Sequence, residues 1–352
     1  MAGAGLLVVL GVGAKVALRA GGRSITRNVT TSSTTGSTIR PIMPLGTQHR
    51  AHATTPDEQL QDKIDPYVEH CLNRFSRQVF DAENRYYDWV DRRKGPTGRE
   101  RVVYGIYDVN GDPGECSRAV TSAATLTPSV PALEAAGPRF SATLATVVPL
   151  IHQAHNYYAN PALYRGDNMA QGALLHPQLV AALAAFTDAQ RALSEAVSAS
   201  QDTATESFLA RVRTDPNMVV EYHLKNDQRM ARHLARALRG WDVRNGQVTG
   251  IDATTFVPAV NEYAIGVNSL ATVSLQNPQQ AAAVRGLPLY QARSATYLRQ
   301  LQGLSMRIQS GDRFTRSELN VMRMRMGWTV QGSPDAANRA YNELVQSYNA
   351  LR

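Results

Sequence analysis

Apolar side chains recur at intervals of three and four residues between residues 67 and 89, which is the spacing of an α-helix with one buried face. Asp65-Pro66 marks a helix start, because aspartate is a good N-cap and proline is tolerated at the first helical position. The glycines and proline of Lys94-Gly95-Pro96-Thr97-Gly98 end the pattern. We therefore predict one long amphipathic helix, with a buried face formed by Cys71, Phe75, Val79, Ala82, Tyr86 and Trp89.

The same helical spacing returns in two later segments, 138–158 and 169–197, which are joined by a short connection. Pro149 predicts a kink in the first of them. Further helices are predicted at about 218–241, 253–275, 286–310, 316–327 and from Ser333 to the C-terminus. Residues 102–107 have a strand-like composition but no second such run to pair with, so 99–115 is predicted to be an extended connection. The pattern predicts an all-α, multi-helix bundle with long, kinked amphipathic helices.

Three regions of the chain differ in composition. Residues 1–20 are largely apolar and read as a signal or anchor segment, although the uncharged run is shorter than the roughly 20 residues of a spanning helix. Residues 21–56 are rich in Ser and Thr with scattered Pro and Gly, which is typical of a flexible tether. Residues 57–352 are predicted to form the helical domain, with a sub-boundary near 200–216 as an option.

The N-terminal region also suggests where the protein resides. An apolar start followed by a tether is typical of proteins held at a membrane, and we expect membrane association through residues 2–18 on the periplasmic side of a bacterial envelope. The same region is rich in Arg, Ser and Thr and lacks acidic residues, which is also typical of an organellar transit peptide. Import into an organelle is therefore the alternative.

The net charge of +8 is unevenly distributed. Residues 1–56 contain six of the 37 basic residues and none of the 29 acidic ones, so residues 57–352 are nearly neutral. A protein that binds nucleic acid without sequence preference needs a basic surface that neutralises phosphates. The charge distribution therefore predicts no nucleic-acid partner.

Cys71 and Cys116 are the two cysteines of the chain. Their spacing fits no metal-binding pattern, because such sites usually contain cysteines in close pairs. In an oxidising compartment the two would form a disulfide that pins the 99–115 connection to the first helix. In the cytosol they would remain buried free thiols.

Several short motifs together resemble a known family. They are Gly95-Pro96-Thr97-Gly98-Arg99-Glu100, Tyr104-Gly105-Ile106-Tyr107, Pro149-Leu150, Tyr157-Tyr158, Tyr164, Asp167, Gly172, Leu175-His176, Tyr341-Asn342-Glu343-Leu344-Val345 and Tyr348-Asn349. In combination, over roughly residues 60–352, the chain resembles the YiiG-like family of uncharacterised bacterial envelope lipoproteins. The resemblance implies a lipid-anchored α-helical domain without an established activity. The chain departs from it in having no cysteine before Cys71 to carry a lipid.

The densest group of chemically capable side chains lies between residues 152 and 176. The candidate ligand-binding residues are His155, Tyr158, Tyr164, Asp167 and His176. An alternative is a metal site made of His152, His155, Asp167 and His176. A structural interpretation is also open, in which the histidines hydrogen-bond to tyrosines in the core and Asp167 caps the following helix.

Two further patterns have a functional and a structural interpretation. The loop at 95–98 lacks the Gly-Lys-Ser/Thr ending of a phosphate-binding loop, so it is interpreted as a helix stop and a turn. A stripe of basic residues recurs at helical spacing at Lys225, Arg229, Arg232, Arg236 and Arg239. We interpret the stripe as a solvated helix face, with binding to anionic lipid as the alternative.

No residue pattern indicates a catalytic centre, and no cofactor is expected. The sequence therefore favours a non-catalytic binding or structural module in the cell envelope, whose partner is an unknown envelope component. The metal-binding protein described above is the alternative function.

Overall fold

The computed structural model describes residues 55–324 and 326–351. The N-terminal segments predicted as anchor and tether lie almost entirely outside these residues. The α-helices are α1 (Pro56–Tyr67), α2 (Asn73–Tyr87), α3 (Pro113–Ala124), α4 (Pro131–Ala159), α5 (Pro161–Gly166), α6 (Ala170–Val212), α7 (Val219–Ala237), α8 (Ala253–Gln276), α9 (Pro278–Ala283), α10 (Leu287–Ser310), α11 (Arg316–Arg323) and α12 (Pro334–Asn349). Within the described ranges, no helix combines the length and apolar character required to cross a bilayer.

The first helix starts earlier than predicted. It begins at Pro56, where the Glu58 carboxylate accepts a hydrogen bond from the Thr55 N–H, and Pro66 lies inside it. A π-helical turn over Val68–Leu72 then leads into α2. The prediction of a start at Asp65-Pro66 was wrong because Leu60 and Ile64 extend the buried face upstream, and their packing outweighs the cost of an internal proline.

Helix α6 runs along the N-terminal half of the fold. It is 43 residues long, which corresponds to about 65 Å. The continuous α1–α2 segment packs against it in the antiparallel direction, with Asp57 bonded to Arg211 at one end and Tyr86 to His176 at the other. Helix α4 packs on it as well, with Phe186 in ring contact with Phe140. Because α6 continues to Val212, the sub-boundary near 200–216 would fall at its end, and it stays a prediction.

The C-terminal half is a second group of packed helices, formed by α7, α8, α10 and α12. Its core contains ring contacts between Tyr263 and Tyr297 and between Tyr297 and Tyr341. A hairpin of two three-residue strands, β1 (Asp242–Arg244) and β2 (Gln247–Thr249), joins α7 to α8. One hydrophobic cluster extends from Leu60 to Leu351, so the two groups of helices share a core. The predicted all-α class is confirmed.

The connection between α2 and α3 is extended, as expected, but it ends earlier than predicted. Helix α3 begins at Pro113, where the Asp112 carboxylate accepts a hydrogen bond from the Gly114 N–H at 2.8 Å. Cys116 on α3 forms a disulfide with Cys71 in the π-helical turn. The disulfide therefore joins the first helix to the element that follows the connection.

Gly137 on α4 allows α4 and α1 to approach closely, since a Cβ added there would overlap the ring of Tyr67. We expect Gly137→Ala to lower the free energy of unfolding by about 1–3 kcal/mol, because overpacking a dense core is destabilising. The measurement is chemical denaturation followed by circular dichroism. The control is Gly166→Ala, where an added Cβ meets no atom within 4 Å and the change should stay within about 0.5 kcal/mol. Equal effects would contradict this packing.

Candidate functional site

His176 is buried where α2, α6 and the loop that follows α2 meet. Its Nδ1 accepts a hydrogen bond from the Tyr86 hydroxyl at 2.9 Å, and its Nε2–H donates to the Arg92 carbonyl at 3.2 Å. The Arg92 carbonyl can only accept, so it fixes the Nε2–H side of the ring. The ring also packs on Gly95, where an added Cβ would lie 2.9 Å from His176 Cδ2. His176 thus holds the start of the loop against α6.

The two other histidines of the cluster bind different parts of the same connection. His155 Nδ1–H donates to the Ile106 carbonyl at 2.8 Å. His152 Nδ1 pairs with the Asp108 carboxylate at the surface. Each histidine on α4 therefore holds one point of the extended chain.

Asp167 caps the beginning of α6. One oxygen accepts a hydrogen bond from the Tyr157 hydroxyl at 2.7 Å, and the other accepts one from the Gln171 N–H at 3.0 Å. These hydrogen bonds, that of Tyr157 first, hold the pKa of Asp167 below its ordinary value. Burial and the same hydrogen bond raise the pKa of Tyr157 to about 12. The contact keeps Tyr157 protonated and Asp167 ionised, and an ionised carboxylate can accept hydrogen bonds as a helix cap.

The remaining candidate residues, Tyr158 and Tyr164, are buried tyrosines. The Tyr158 ring packs edge-on against Trp89 at a centroid distance of 5.0 Å, and burial raises its pKa. Gly172 leaves room for the Tyr158 hydroxyl, because a Cβ there would lie 2.6 Å from it. The Arg165 guanidinium lies 5.9 Å from the centroid of the Tyr164 ring.

The histidines of this cluster bind an extended segment of the chain that has no neighbouring strand among the described residues. Residues 102–110 belong to no sheet, yet their carbonyls receive donors from side chains. Arg85 Nε donates to the Tyr104 carbonyl at 3.1 Å, and Trp89 Nε1 donates to the Gly105 carbonyl at 2.8 Å. With the bond from His155, side chains supply donors that a sheet would otherwise provide. We call residues 88–110 the clamped loop.

The geometry gives the metal hypothesis no support. His152, His155, Asp167 and His176 each have a different hydrogen-bond partner and do not form one ligand set. In the described part of the chain, no group of three or more His, Cys, Asp or Glu side chains is placed to hold a metal ion. The arrangement corresponds to the structural interpretation, in which the polar side chains fix the backbone.

The basic stripe of α7 is not a solvated face, and that interpretation was wrong. Arg232 is only 4% exposed, and its guanidinium binds Asp202 at 3.1 Å and Gln201 at 3.1 Å, both on α6. Lys225 donates to the Tyr348 hydroxyl on α12 at 2.7 Å. Helical spacing correctly placed the basic residues on one face, but only the neighbouring helices decided that this face turns inward.

Asp227 is a buried carboxylate that sequence analysis did not single out. It is fully buried and accepts hydrogen bonds from the Tyr290 hydroxyl at 2.7 Å and the Ser294 hydroxyl at 2.9 Å. Tyr263 contacts the same serine hydroxyl at 2.8 Å. Burial raises the pKa of Asp227 to about 7, against the opposing effect of both hydrogen bonds. In the sequence, Asp227 is one of a few acidic residues among the basic residues of α7, and nothing there marks it as buried.

Fold and site define an all-α protein in which a conspicuous polar cluster clamps a loop. A profile of a family described as a protein of unknown function, DUF3829, matches residues 58–350. The chain therefore belongs to the DUF3829 family, which confirms the resemblance found in its motifs. It is 25% identical over 300 residues to the Uncharacterized protein YiiG of Escherichia coli (strain K12), covering 84% of this chain and 81% of the relative. No solved structure matches the chain.

The clamp can be tested by removing the imidazole of His176. We expect His176→Ala to lower the free energy of unfolding by about 2–3 kcal/mol, because it leaves the Tyr86 hydroxyl and the Arg92 carbonyl without partners. Amide exchange in residues 92–107 should also accelerate. The control, His152→Ala, removes a partly exposed contact with Asp108 and should cost less than about 1 kcal/mol. Similar losses in both variants would show that His176 is no clamp.

The stability of the C-terminal core should depend on pH through Asp227. Its pKa in the folded protein lies above the ordinary value, so the folded state binds this proton more tightly than the unfolded state. The contribution is largest below about pH 4 and is lost as the pH rises through about 7. We expect Asp227→Asn to remove this loss. The difference in free energy of unfolding between variant and wild type should therefore be about 2–4 kcal/mol more favourable to the variant at pH 8 than at pH 4.

Urea denaturation at pH 4, 6 and 8 measures this difference. Asp312→Asn, at an exposed position outside the core, is the control and should follow the wild-type pH profile. A wild-type profile that Asp227→Asn leaves unchanged would contradict the assignment.

Proposed function

We propose that the protein is an exported, non-catalytic module of the bacterial cell envelope that binds another envelope component through the clamped loop. The observation that carries this proposal is the way in which side chains from α2, α4 and α6, together with Trp89 of the loop itself, hold the loop backbone. Imidazole, indole and guanidinium groups that could serve chemistry elsewhere are engaged as donors to carbonyl oxygens.

A clamped loop suits binding because its conformation is fixed before a partner arrives. Ordering a flexible loop on association costs free energy, and a preorganised loop avoids most of that cost. The outer side chains of the loop remain available, since Tyr104 and Tyr107 are about half exposed. The Arg85 guanidinium lies over both rings, at 4.8 and 5.3 Å from their centroids, and holds them in place.

The envelope location is supported by the disulfide and by the sequence of the N-terminus. Disulfides persist in oxidising compartments such as the bacterial periplasm and are rare in the cytosol. The Cys71–Cys116 disulfide is buried in the shared core, which suits a structural rather than a catalytic role. An apolar run at residues 2–14 fits export of the chain or anchoring to the membrane.

Fractionation with thiol trapping tests the location. The full chain with a C-terminal tag is produced in a bacterial host, unfolded in denaturant so that the buried cysteines are accessible, and treated with a maleimide polymer before and after reduction. We expect it in the envelope fraction, with both cysteines reactive only after reduction, and mass spectrometry then defines the mature N-terminus. A Cys71→Ser, Cys116→Ser variant controls for labelling elsewhere. Cytosolic protein with two reactive thiols would contradict export.

Site-specific photo-crosslinking in the same cells tests binding. A photoreactive amino acid at Tyr107 should give discrete adducts, and the same group at Met306, exposed on α10, should not. Adducts at Tyr107 should decrease in a His176→Ala background, because the loop is no longer held. Absence of adducts at Tyr107, or turnover of a substrate that depends on His176 or Asp167, would overturn the proposal.

A further inference from the structure

One end of the molecule combines exposed cations with exposed apolar side chains. We call this region the basic-apolar end. Its members are Arg93, Lys94, Arg99, Arg101, Val102, Tyr104 and Tyr107 of the clamped loop, Leu163 of α5 and Leu174 of α6. Arg232 of the α7 stripe is buried and the other four stripe residues are partly buried, whereas Arg93, Lys94, Arg99 and Arg101 of the loop are all exposed.

The cations of the basic-apolar end are available to an external anion. Arg92 pairs with Glu83, whereas Arg93, Lys94, Arg99 and Arg101 form no ion pair with any described residue. The loop also contains four carboxylates, and all of them are engaged. Asp108 pairs with His152, and Asp88 has a partner as well. Asp91 accepts hydrogen bonds from two loop N–H groups at 2.8 and 2.9 Å, and Glu100 accepts two from Thr97 at 2.6 and 2.8 Å.

These hydrogen bonds also fix the loop that carries the cations. Those from the loop N–H groups lower the pKa of Asp91. Burial pulls the pKa of Glu100 upward, but the hydrogen bonds from Thr97 and from the backbone N–H groups of Gly98 and Glu100 together leave the pKa below its usual value. Gly98, with φ of +76°, packs on Asn168. The cations are thus presented from a fixed backbone.

Apolar side chains surround the cations at the same end. Leu174 is 71% exposed, and Leu163, Val102, Tyr104 and Tyr107 are each about half exposed. The loop and the first turns of α6 are in contact, because a Cβ on Gly172 would lie 3.2 Å from Pro96 Cγ. Exposed apolar side chains among basic ones are typical of surfaces that contact a membrane, and tyrosine is enriched at the lipid–water interface.

We propose that the basic-apolar end docks on the surface of an anionic lipid bilayer, with its cations at the lipid phosphates and its leucine, valine and tyrosine side chains in the interface. This rests on the proposed function and names the component that the clamped loop binds. An acidic protein would match the cations but would not account for the isolated leucines on two neighbouring helices.

The length of the N-terminal region permits this docking. The described chain starts at Thr55, beside the α6 end that carries Arg211, whereas the basic-apolar end lies at the other end of α6. Residues 21–56 could extend to about 120 Å, which exceeds the length of α6, about 65 Å. An anchor at residues 2–18 would thus allow the far end of the domain to reach the same membrane.

Fluorescence of a dye at the basic-apolar end tests the proposal with the purified full chain. An environment-sensitive dye is attached to Ala173→Cys, which is exposed beside Leu174, and in a second sample to Thr214→Cys at the opposite end of α6. Vesicles contain phosphatidylcholine alone or with phosphatidylglycerol. We expect a blue shift only for the dye at residue 173, only with phosphatidylglycerol, and lost at high salt.

Two charge-matched variants identify the residues responsible. Replacing the loop cations with glutamine, as Arg93→Gln, Lys94→Gln, Arg99→Gln and Arg101→Gln, should raise the lipid concentration for half-maximal shift about tenfold or more. The control replaces four exposed arginines elsewhere, as Arg139→Gln, Arg213→Gln, Arg285→Gln and Arg316→Gln, and should leave that concentration within about twofold of wild type. Leu163→Ser with Leu174→Ser should weaken docking at unchanged charge.

Several results would overturn the membrane assignment. These are an equal shift with neutral vesicles, equal losses in the two charge-matched variants, or no shift at residue 173 with phosphatidylglycerol. Binding of polyglutamate without vesicle docking would assign the surface to an acidic protein. Protein adducts at Tyr107 in cells would then still support the proposed binding function, so failure of the two proposals can be distinguished.

Discussion

Burial of α6 along its whole length is the constraint on which the other elements depend. A helix of 43 residues with buried positions from Gly172 to Val212 cannot be covered by one short partner. The α1–α2 segment and α4 pack on it, and Arg232 of α7 bonds to its side chains. Because one helix serves both groups of helices, a change in its packing affects the core on either side.

The N-terminal end of α6 also explains the polar cluster. An extended connection that crosses a helical bundle has carbonyl groups but no strand to pair with, and unpaired buried carbonyls are costly. Here the donors are His176 from α6, His155 from α4, and Arg85 and Trp89 from the α2 region. Histidines that the sequence offered as part of a ligand-binding or metal site thereby hold a loop. The function that we propose is presentation of a fixed surface.

The position of each charged side chain also depends on the partners that neighbouring elements provide. Arg232 turns inward because Asp202 and Gln201 of α6 offer it partners, so its positive charge does not reach solvent. In the clamped loop, Asp91 and Glu100 accept hydrogen bonds from backbone N–H groups and Thr97, and Arg93, Arg99 and Arg101 are exposed. Asp227 shows the opposite situation, a buried charge supported only by hydroxyl groups. Burial with partners, rather than the number of charges, decides which charged side chains remain exposed to solvent.

The sequence by itself determined the all-α class, most of the helices and the family, because helical periodicity and motif spacing are local properties of the chain. It placed the residues of the α7 stripe on one face and grouped the histidines near residues 152–176. Only the tertiary structure decided that Pro66 lies within a helix, that Arg232 of the stripe is buried and that each histidine has its own partner. These outcomes depend on groups far apart in sequence, such as Arg232 and Asp202, or Tyr86 and His176, whose contacts exist only after the helices pack.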